Sequence, residues 1–310
     1  MAAYNYNNIF SLVASSSATI RLWLRRTLDL PIQASTYRTI QLCCLLLCVG
    51  LSAQAQRNII SLEQNWYSIA TSNDTILPAN TFAVPIDQRW QRVSIPHNWD
   101  QYEGYRRMLH GNRHGDSWYR KTFTIKQAKQ GKRFFLQFEG VGSYATVYVN
   151  KQQVGEHAGG RTTFSIDITH VIKTDGTANE LAVRAWHPSG IANLPWVCGG
   201  CSDERGFSEG SQPMGIFRPV QLLVTSDVRI VPFGIHAWAD VQSTQSLLNI
   251  NTTVQNFTGS QRRITIVHAI KDATGKTVQT VSLQHTLQPH DSVSVLKEKI
   301  TVTKPELWST

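Results

Sequence analysis

The chain has 310 residues, 41% of them hydrophobic and 16% charged, with a formal charge of +9. This composition excludes a disordered chain and allows two ordinary domains with real cores. A positive balance admits nucleic acid as a partner, yet the basic residues are scattered along the sequence rather than massed.

The first segment is a leader. Residues 1–55 end in Arg38, the apolar run Leu42 to Leu51, and small residues at Ala53 and Ala55. A basic residue, a short apolar core and a small-residue end make a secretory signal, with cleavage after Ala55. The run is too short to span a bilayer comfortably, so no stable membrane span is expected after cleavage. An uncleaved anchor is the competing reading. The residues ahead of Arg38 are unusual for a signal and read as a start codon placed too early. The expected localisation is periplasmic or extracellular. The leader carries four arginines against Asp29, which leaves +6 on the mature part. An exported chain meets little nucleic acid. The one basic patch, Arg106, Arg107, Arg113, Arg120 and Lys121 with His110 and His114 among them, therefore reads as solvated loop, with an acidic polysaccharide as the weaker alternative.

From residue 56 onward, period-2 alternation dominates. Tyr119, Lys121, Phe123 and Ile125 share one strand face, as do Phe134, Leu136 and Phe138, and then Ala145, Val147 and Val149. Phe164, Ile166 and Ile168 follow, then Leu181, Val183 and Ala185, and finally Val220, Leu222 and Val224. Gln130-Gly131-Lys132, Gly140-Val141-Gly142, Asn150-Lys151 and Asp175-Gly176 supply turn chemistry between them. With no amphipathic helix among these runs, two packed antiparallel sheets are expected over 56–226.

A second series occupies 227–310. Leu248, Ile250, Thr252 and Val254 form a strand, a turn runs from Asn256 to Ser260, and Ile264, Ile266, His268 and Ile270 follow. The turn Asp272 to Gly275 and strands at Thr277–Leu283 and Ser292–Val302 complete an immunoglobulin-like sandwich. His268 on its apolar face reads as a core histidine. The fold class is therefore all-β, two sandwiches in tandem.

Two stretches hold the candidate site. His187 to Arg218 runs some thirty residues between strands and carries Trp196, Cys198, Cys201, Asp203, Glu204, Arg205, Phe207 and Glu209; loops this long tend to be functional. An aromatic face stacks on a pyranose ring while carboxylates and an arginine hydrogen-bond its hydroxyls. The competing reading is a pinned loop whose Trp196 and Phe207 plug the sandwich edge. Cys198 and Cys201, as Cys-Gly-Gly-Cys, favour a small-loop disulfide in an oxidising compartment. A redox centre would want the motif to open a helix, and zinc would want further ligands nearby, so no metal or cofactor is expected. The second stretch, Ile95 to Asp100, offers Asn98 and Asp100 around Trp99, or alternatively a packed Trp99 with a capped turn. Asp203 and Glu204 are adjacent and point apart in extended chain, so they do not make the pair of acids, roughly 5–10 Å apart, that glycoside cleavage needs.

Taken in order, Ile95-Pro-His-Asn-Trp-Asp100, Trp118-Tyr-Arg-Lys-Thr-Phe123, Phe138-Glu-Gly-Val141, Ala145 to Asn150, Val154 to Gly160, Phe164 to Thr169, Asn179 to Arg184 and Gly215-Ile-Phe-Arg-Pro-Val220 resemble the N-terminal sugar-binding domain of family 2 glycoside hydrolases, the β-galactosidases and β-glucuronidases. The second series and the closing Pro305-Glu-Leu-Trp-Ser309 are similar to that family's second domain. Lys151 stands where the family commonly has a turn glycine, and Arg161 where an aromatic is usual. The resemblance implies a galactose-binding-like jelly roll followed by an immunoglobulin-like sandwich, and a β-linked glycan or terminal sugar as ligand. It also implies a catalytic TIM barrel as partner, holding the acid/base and nucleophile glutamates of a retaining mechanism. The 310 residues end ahead of such a barrel, so no catalytic residue is expected here and the chain alone is expected to be inactive. A jelly-roll loop that helps hold the terminal sugar would map to Trp196–Glu209. The alternatives are a free-standing carbohydrate-binding or adhesion module and a purely structural piece of a larger enzyme.

Overall fold

A computed structural model describes residues 10–14, 53–54, 57–71, 76–99, 113–188, 213–241, 245–290, 292–303 and 305. They are almost entirely β, and the chain divides into two compact units: Arg57–Thr225, and Ser226–Thr310 together with Met1–Gln56.

In the first unit two sheets face each other. The larger has the order β5-β4-β6-β11-β8-β9, built from β4 (Trp66–Ala70), β5 (Gln91–Val93), β6 (Gly115–Lys126), β8 (Tyr144–Val149), β9 (Gln152–Ala158) and β11 (Asp175–His187). The smaller, β10-β7-β12-β3, uses β3 (Asn58–Ser61), β7 (Lys132–Phe138), β10 (Phe164–Asp167) and β12 (Val220–Ser226). Because successive side chains of a strand alternate faces, each sheet sends one apolar set inward. Tyr119, Val147, Val183, Leu136, Phe138, Ile166 and Leu222 meet there in one cluster, with Trp66 set edge-on to Tyr119 at 6.4 Å.

The outer face of the larger sheet carries a second, smaller core that the alternation pattern does not reveal. Residues 76–90, with a 3-10 turn at Ala79–Phe82, lie over it. Leu77, Phe82 and Trp90 of that arm pack on Ile69, Trp118 and Ala182, and Phe82 stacks on Tyr148 at 4.5 Å. Arg120 and Lys121, which the sequence also groups with a solvated basic loop, lie on strand β6, where the alternation through Tyr119, Lys121 and Phe123 places them. The Arg120 guanidinium donates to Val84 O and covers Trp90, while Lys121 donates to Gln64 O above Trp66. Their aliphatic stems line apolar surface and their charged ends find carbonyls.

Turn chemistry is as expected at most corners. Asn150 and Lys151 both take positive φ, 50° and 68°. A two-residue hairpin of this kind favours Asn-Gly, which accounts for a glycine being usual where Lys151 stands. Asp175-Gly176 differs: it is not a separate turn but an irregular start of β11, where the register shifts between Asp175 and Ala178.

The second unit pairs the sheet β13-β14-β17, from β13 (Val228–Val241), β14 (Gln245–Asn256) and β17 (Ser292–Thr303), with the sheet β16-β15-β1-β2. There β15 (Arg262–Lys271) and β16 (Thr277–Leu287) are joined by β1 (Phe10–Ala14), which pairs antiparallel with β15, and by β2 (Ala53–Gln54). Val228, Val254 and Leu296 of one sheet meet Ile264, Ile266 and Leu287 of the other. His268 is buried at 1% exposure, and it is more than filler. From β15 it reaches the opposite sheet twice, to Thr252 Oγ1 on β14 at 2.8 Å and to the Glu298 carboxylate on β17.

Among the described residues no helix is long and apolar enough to cross a membrane.

Candidate functional site

Of the residues singled out in the sequence, Trp196, Cys198, Cys201, Asp203, Glu204, Arg205, Glu209 and Asp100 lie outside the described residues, as does the apolar core 42–51 of the leader. Asn98 and the stems of both candidate loops are described, and the stems converge on one end of the first sandwich.

Three backbone hydrogen bonds fasten them. His97 N donates to Ile216 O at 2.8 Å, Trp99 N to Met214 O at 2.9 Å, and Gly142 N to Gly215 O at 3.0 Å. The stretch before residue 100 is thus laced to the stretch that returns from residue 212. Two glycines make this lacing possible. A Cβ on Gly215, whose φ is +137°, would meet Tyr119 Oη at 2.2 Å and His97 O at 2.9 Å. A Cβ on Gly142 would meet Pro213 O at 2.0 Å. Only a residue without a side chain permits such close approach of backbones.

Side chains complete the platform. Trp99, half-buried, donates from Nε1 to Ser68 Oγ at 2.9 Å, and the Arg113 guanidinium covers its ring with Cζ 5.1 Å from the centroid. Arg113 is held in turn by a bond from Nε to Thr71 O at 2.9 Å. His97 stands edge-on to Trp99 at 5.3 Å and shares a 2.8 Å hydrogen bond between Nδ1 and Tyr119 Oη. Burial holds the His97 imidazole below its usual range, so it is neutral at pH 7. On the other side, His187 is fully buried, bonds through Nδ1 to Ser143 Oγ at 2.8 Å, and stacks on His114 at 4.9 Å. His114 Nδ1 lies 3.2 Å from Pro188 O, where the long loop departs.

Asp116 anchors this end. Its side chain is fully buried, accepts from Arg184 Nε at 2.9 Å and from Leu77 N at 2.9 Å, and thereby joins β6, β11 and the 76–90 arm. Burial pushes its carboxyl up, against the downward pull of Arg184 and the Leu77 amide. Both of its oxygens are committed to structure. The sequence reading missed Asp116, Ser143 and His187. The available signal was a charged residue opening a strand pattern at Asp116, matched by Arg184 on a strand otherwise apolar.

Chemically, the site offers an aromatic face, an arginine and the imidazole of His97 held in place by backbone lacing, a set suited to holding a polyol rather than to activating a nucleophile. Among the described residues no group of three or more His, Cys, Asp or Glu could hold a metal ion.

The comparisons with known proteins agree with this geometry. Glycosyl hydrolases family 2, sugar binding domain, matches residues 61–226, more than half of the chain. The chain belongs to glycoside hydrolase family 2. Among its relatives, a β-galactosidase of Bacteroides ovatus, BoGH2A, is 28% identical over 229 residues, 72% of this chain and 25% of that protein. A β-glucuronidase of Bacteroides fragilis is 28% identical over 275 residues, 85% of this chain and 35% of that protein. The solved structure of Bacteroides uniformis β-glucuronidase 2, covalently bound to cyclophellitol-6-carboxylate aziridine, superposes on 82% of this chain and 29% of its own, with a TM-score of 0.65 at 25% identity. The chain thus spans a quarter to about a third of the curated relatives it matches, and its homology is to their N-terminal sugar-binding part.

Proposed function

We propose that this family 2 chain serves as the non-catalytic, glycan-facing front of an exported β-glycosidase of β-galactosidase or β-glucuronidase type, its second unit an immunoglobulin-like sandwich leading toward a catalytic barrel. The observation that carries the reading is the lacing of two loop stems onto the Trp99–Arg113 platform within the family's sugar-binding domain. The loops so anchored hold Trp196, Asp203, Glu204, Arg205 and Glu209, and Asn98 and Asp100 sit at the other stem. On this reading they contact a terminal β-linked sugar while the barrel does the chemistry, and the Cys198–Cys201 disulfide pins the longer loop.

Incubating the purified 310-residue chain with nitrophenyl β-galactoside and nitrophenyl β-glucuronide should give no turnover; genuine turnover by the chain alone would defeat the non-catalytic reading. Millimolar or tighter binding of galactosides in calorimetry, lost in Trp196→Ala, would point instead to a free-standing binding module.

Export is the second part of the proposal. The run Leu42–Leu51 with Ala53 and Ala55 supports cleavage after Ala55, after which β1 and β2 depart with the leader and β15 becomes an edge strand. Intact mass of the secreted protein should begin at Gln56. A mass that retains residues 1–55 would refute processing at this position.

A further inference from the structure

The larger sheet of the first unit carries a cleft far from the loop platform. It lies on the outer face, toward the end of the sheet where Asn65 and the Asn150-Lys151 turn sit, with a volume of about 90 Å³. The register explains why it exists. Tyr67, Arg120, Ala182 and Tyr148 are direct partners across the four neighbouring strands β4, β6, β11 and β8, and so share one face. Three are long side chains; Ala182 is short, and the row dips where it stands. The Phe82–Tyr148 stack, with its rings 12° from parallel, walls one side, and Ile86 rims the opening. Arg120 lies five residues along β6 from the loop end at Gly115, about 16 Å at strand rise.

The cleft is furnished for a hydroxylated ligand. Tyr67 is 38% exposed and Ile86 41%, so both are open to a ligand seated in the cleft. The Arg120 guanidinium is fixed by Val84 O on one nitrogen and by the Trp90 face, 5.6 Å from Cζ to centroid. Among the described residues its remaining N–H groups meet no acceptor. Glu180, on the next strand, lines the same cleft and is close enough to act on Arg120 electrostatically, yet the two form no ion pair. A donor and an acceptor held near one another without meeting leave room for a group that both accepts and donates. A sugar hydroxyl does both, and the face of Tyr67 suits the C–H face of its ring.

We propose that this cleft is a second saccharide subsite, taking one pyranose unit of a glycan, with Tyr67 as stacking face and Arg120 and Glu180 as hydroxyl partners. The choice of a saccharide rests on the glycan-directed reading above; the site itself rests on the cleft. Its volume is far below the roughly 300–1,000 Å³ of a pocket that engulfs its ligand, so it grips an edge of the ring and binds in the millimolar range.

Saturation-transfer NMR on the purified full chain tests this, with methyl β-galactoside, methyl β-glucuronide and cellotriose as probes. In a Trp99→Ala background, which removes what the platform contributes, Tyr67→Ala and Glu180→Gln, both at exposed positions and both checked for an unchanged melting curve, should cut the remaining transfer signal at least fivefold. Loss of all signal in Trp99→Ala alone, or its retention when Tyr67→Ala and Glu180→Gln are added, would overturn the subsite and leave the platform reading standing. No transfer from any probe would overturn the subsite as well.

Discussion

The two sandwiches place their buried polar groups differently. In the first, the space between the sheets is apolar, and five buried polar side chains, Ser68, Asp116, Ser117, Ser143 and His187, gather at the end where the loops leave, with Asn179 buried at the far end against Asn150. In the second, the apolar cluster is small, and Thr252, His268 and Asn256 are buried within the sandwich. A large core supplies stability by area alone and frees its polar groups to aim loops. A small core has less apolar area to bury, and its hydrogen bonds tie one sheet to the other. The contrast teaches that buried polarity positions a site in one unit and joins the two sheets in the other.

The heaviest blow to the first unit should come from Gly215→Ala. With a Cβ aimed at Tyr119 Oη and at backbone, and a φ that disfavours side chains, a loss on the order of 4 kcal/mol is expected in urea unfolding. Near-wild-type stability would break the claim that the lacing needs a bare backbone. Next, Asp116→Ala should cost about 3 kcal/mol, because it leaves the half-buried Arg184 guanidinium and the Leu77 amide without their acceptor. Hydrogen exchange should show the 76–90 arm loosening first. In the second unit, His268→Leu should cost about 2 kcal/mol by leaving Thr252 and Glu298 facing an apolar group, while His268→Leu combined with Thr252→Val and Glu298→Leu should recover most of it. No recovery in the triple variant would mean that the polar set does more than join the sheets.

Acidification separates the two units more gently. His97 is held below its unfolded pKa by burial, so the unfolded chain binds the proton more readily. Stability contributed by neutral His97 is therefore complete above the unfolded value, near 6.5, and falls as pH drops through the window below it. His97→Asn should flatten the pH dependence of the melting temperature between pH 7 and 5. An unchanged slope would assign that dependence elsewhere, His157 being the next candidate for the same reason. The smallest effect expected is a gain: Lys151→Gly should stabilise by about 0.5–1 kcal/mol, since φ of 68° costs any residue with a Cβ.

The inward faces of the sandwiches were legible because alternation is local: Tyr119, Leu136, Val147, Val183 and Leu222 announce themselves by spacing. The arm at 76–90 was not, since Leu77, Phe82 and Trp90 pack without period on the outward face of a sheet, which alternation marks only as polar or aromatic. The platform was half-legible. Trp99 and Asn98 stood out in their motif, whereas Ser143 and His187 meet only through the fold, 44 residues apart in sequence. The partnership of His268 with Glu298 was hidden for the same reason: a glutamate on a strand reads as solvent-facing until the strand opposite is known.

The lacing at the loop stems has a consequence for how such a scaffold changes over time. The bonds from His97, Trp99 and Gly142 to Ile216, Met214 and Gly215 run from amide to carbonyl, so they are indifferent to what the loops between them spell. Insertions, deletions and wholesale exchange of the intervening segments leave the clasp shut, provided that Gly142 and Gly215 persist. A lineage carrying this hub could retarget itself by rewriting loops while its sheets stay fixed, and grafting of foreign loops between Trp99 and Arg113 or between Pro188 and Pro213 exploits the same freedom.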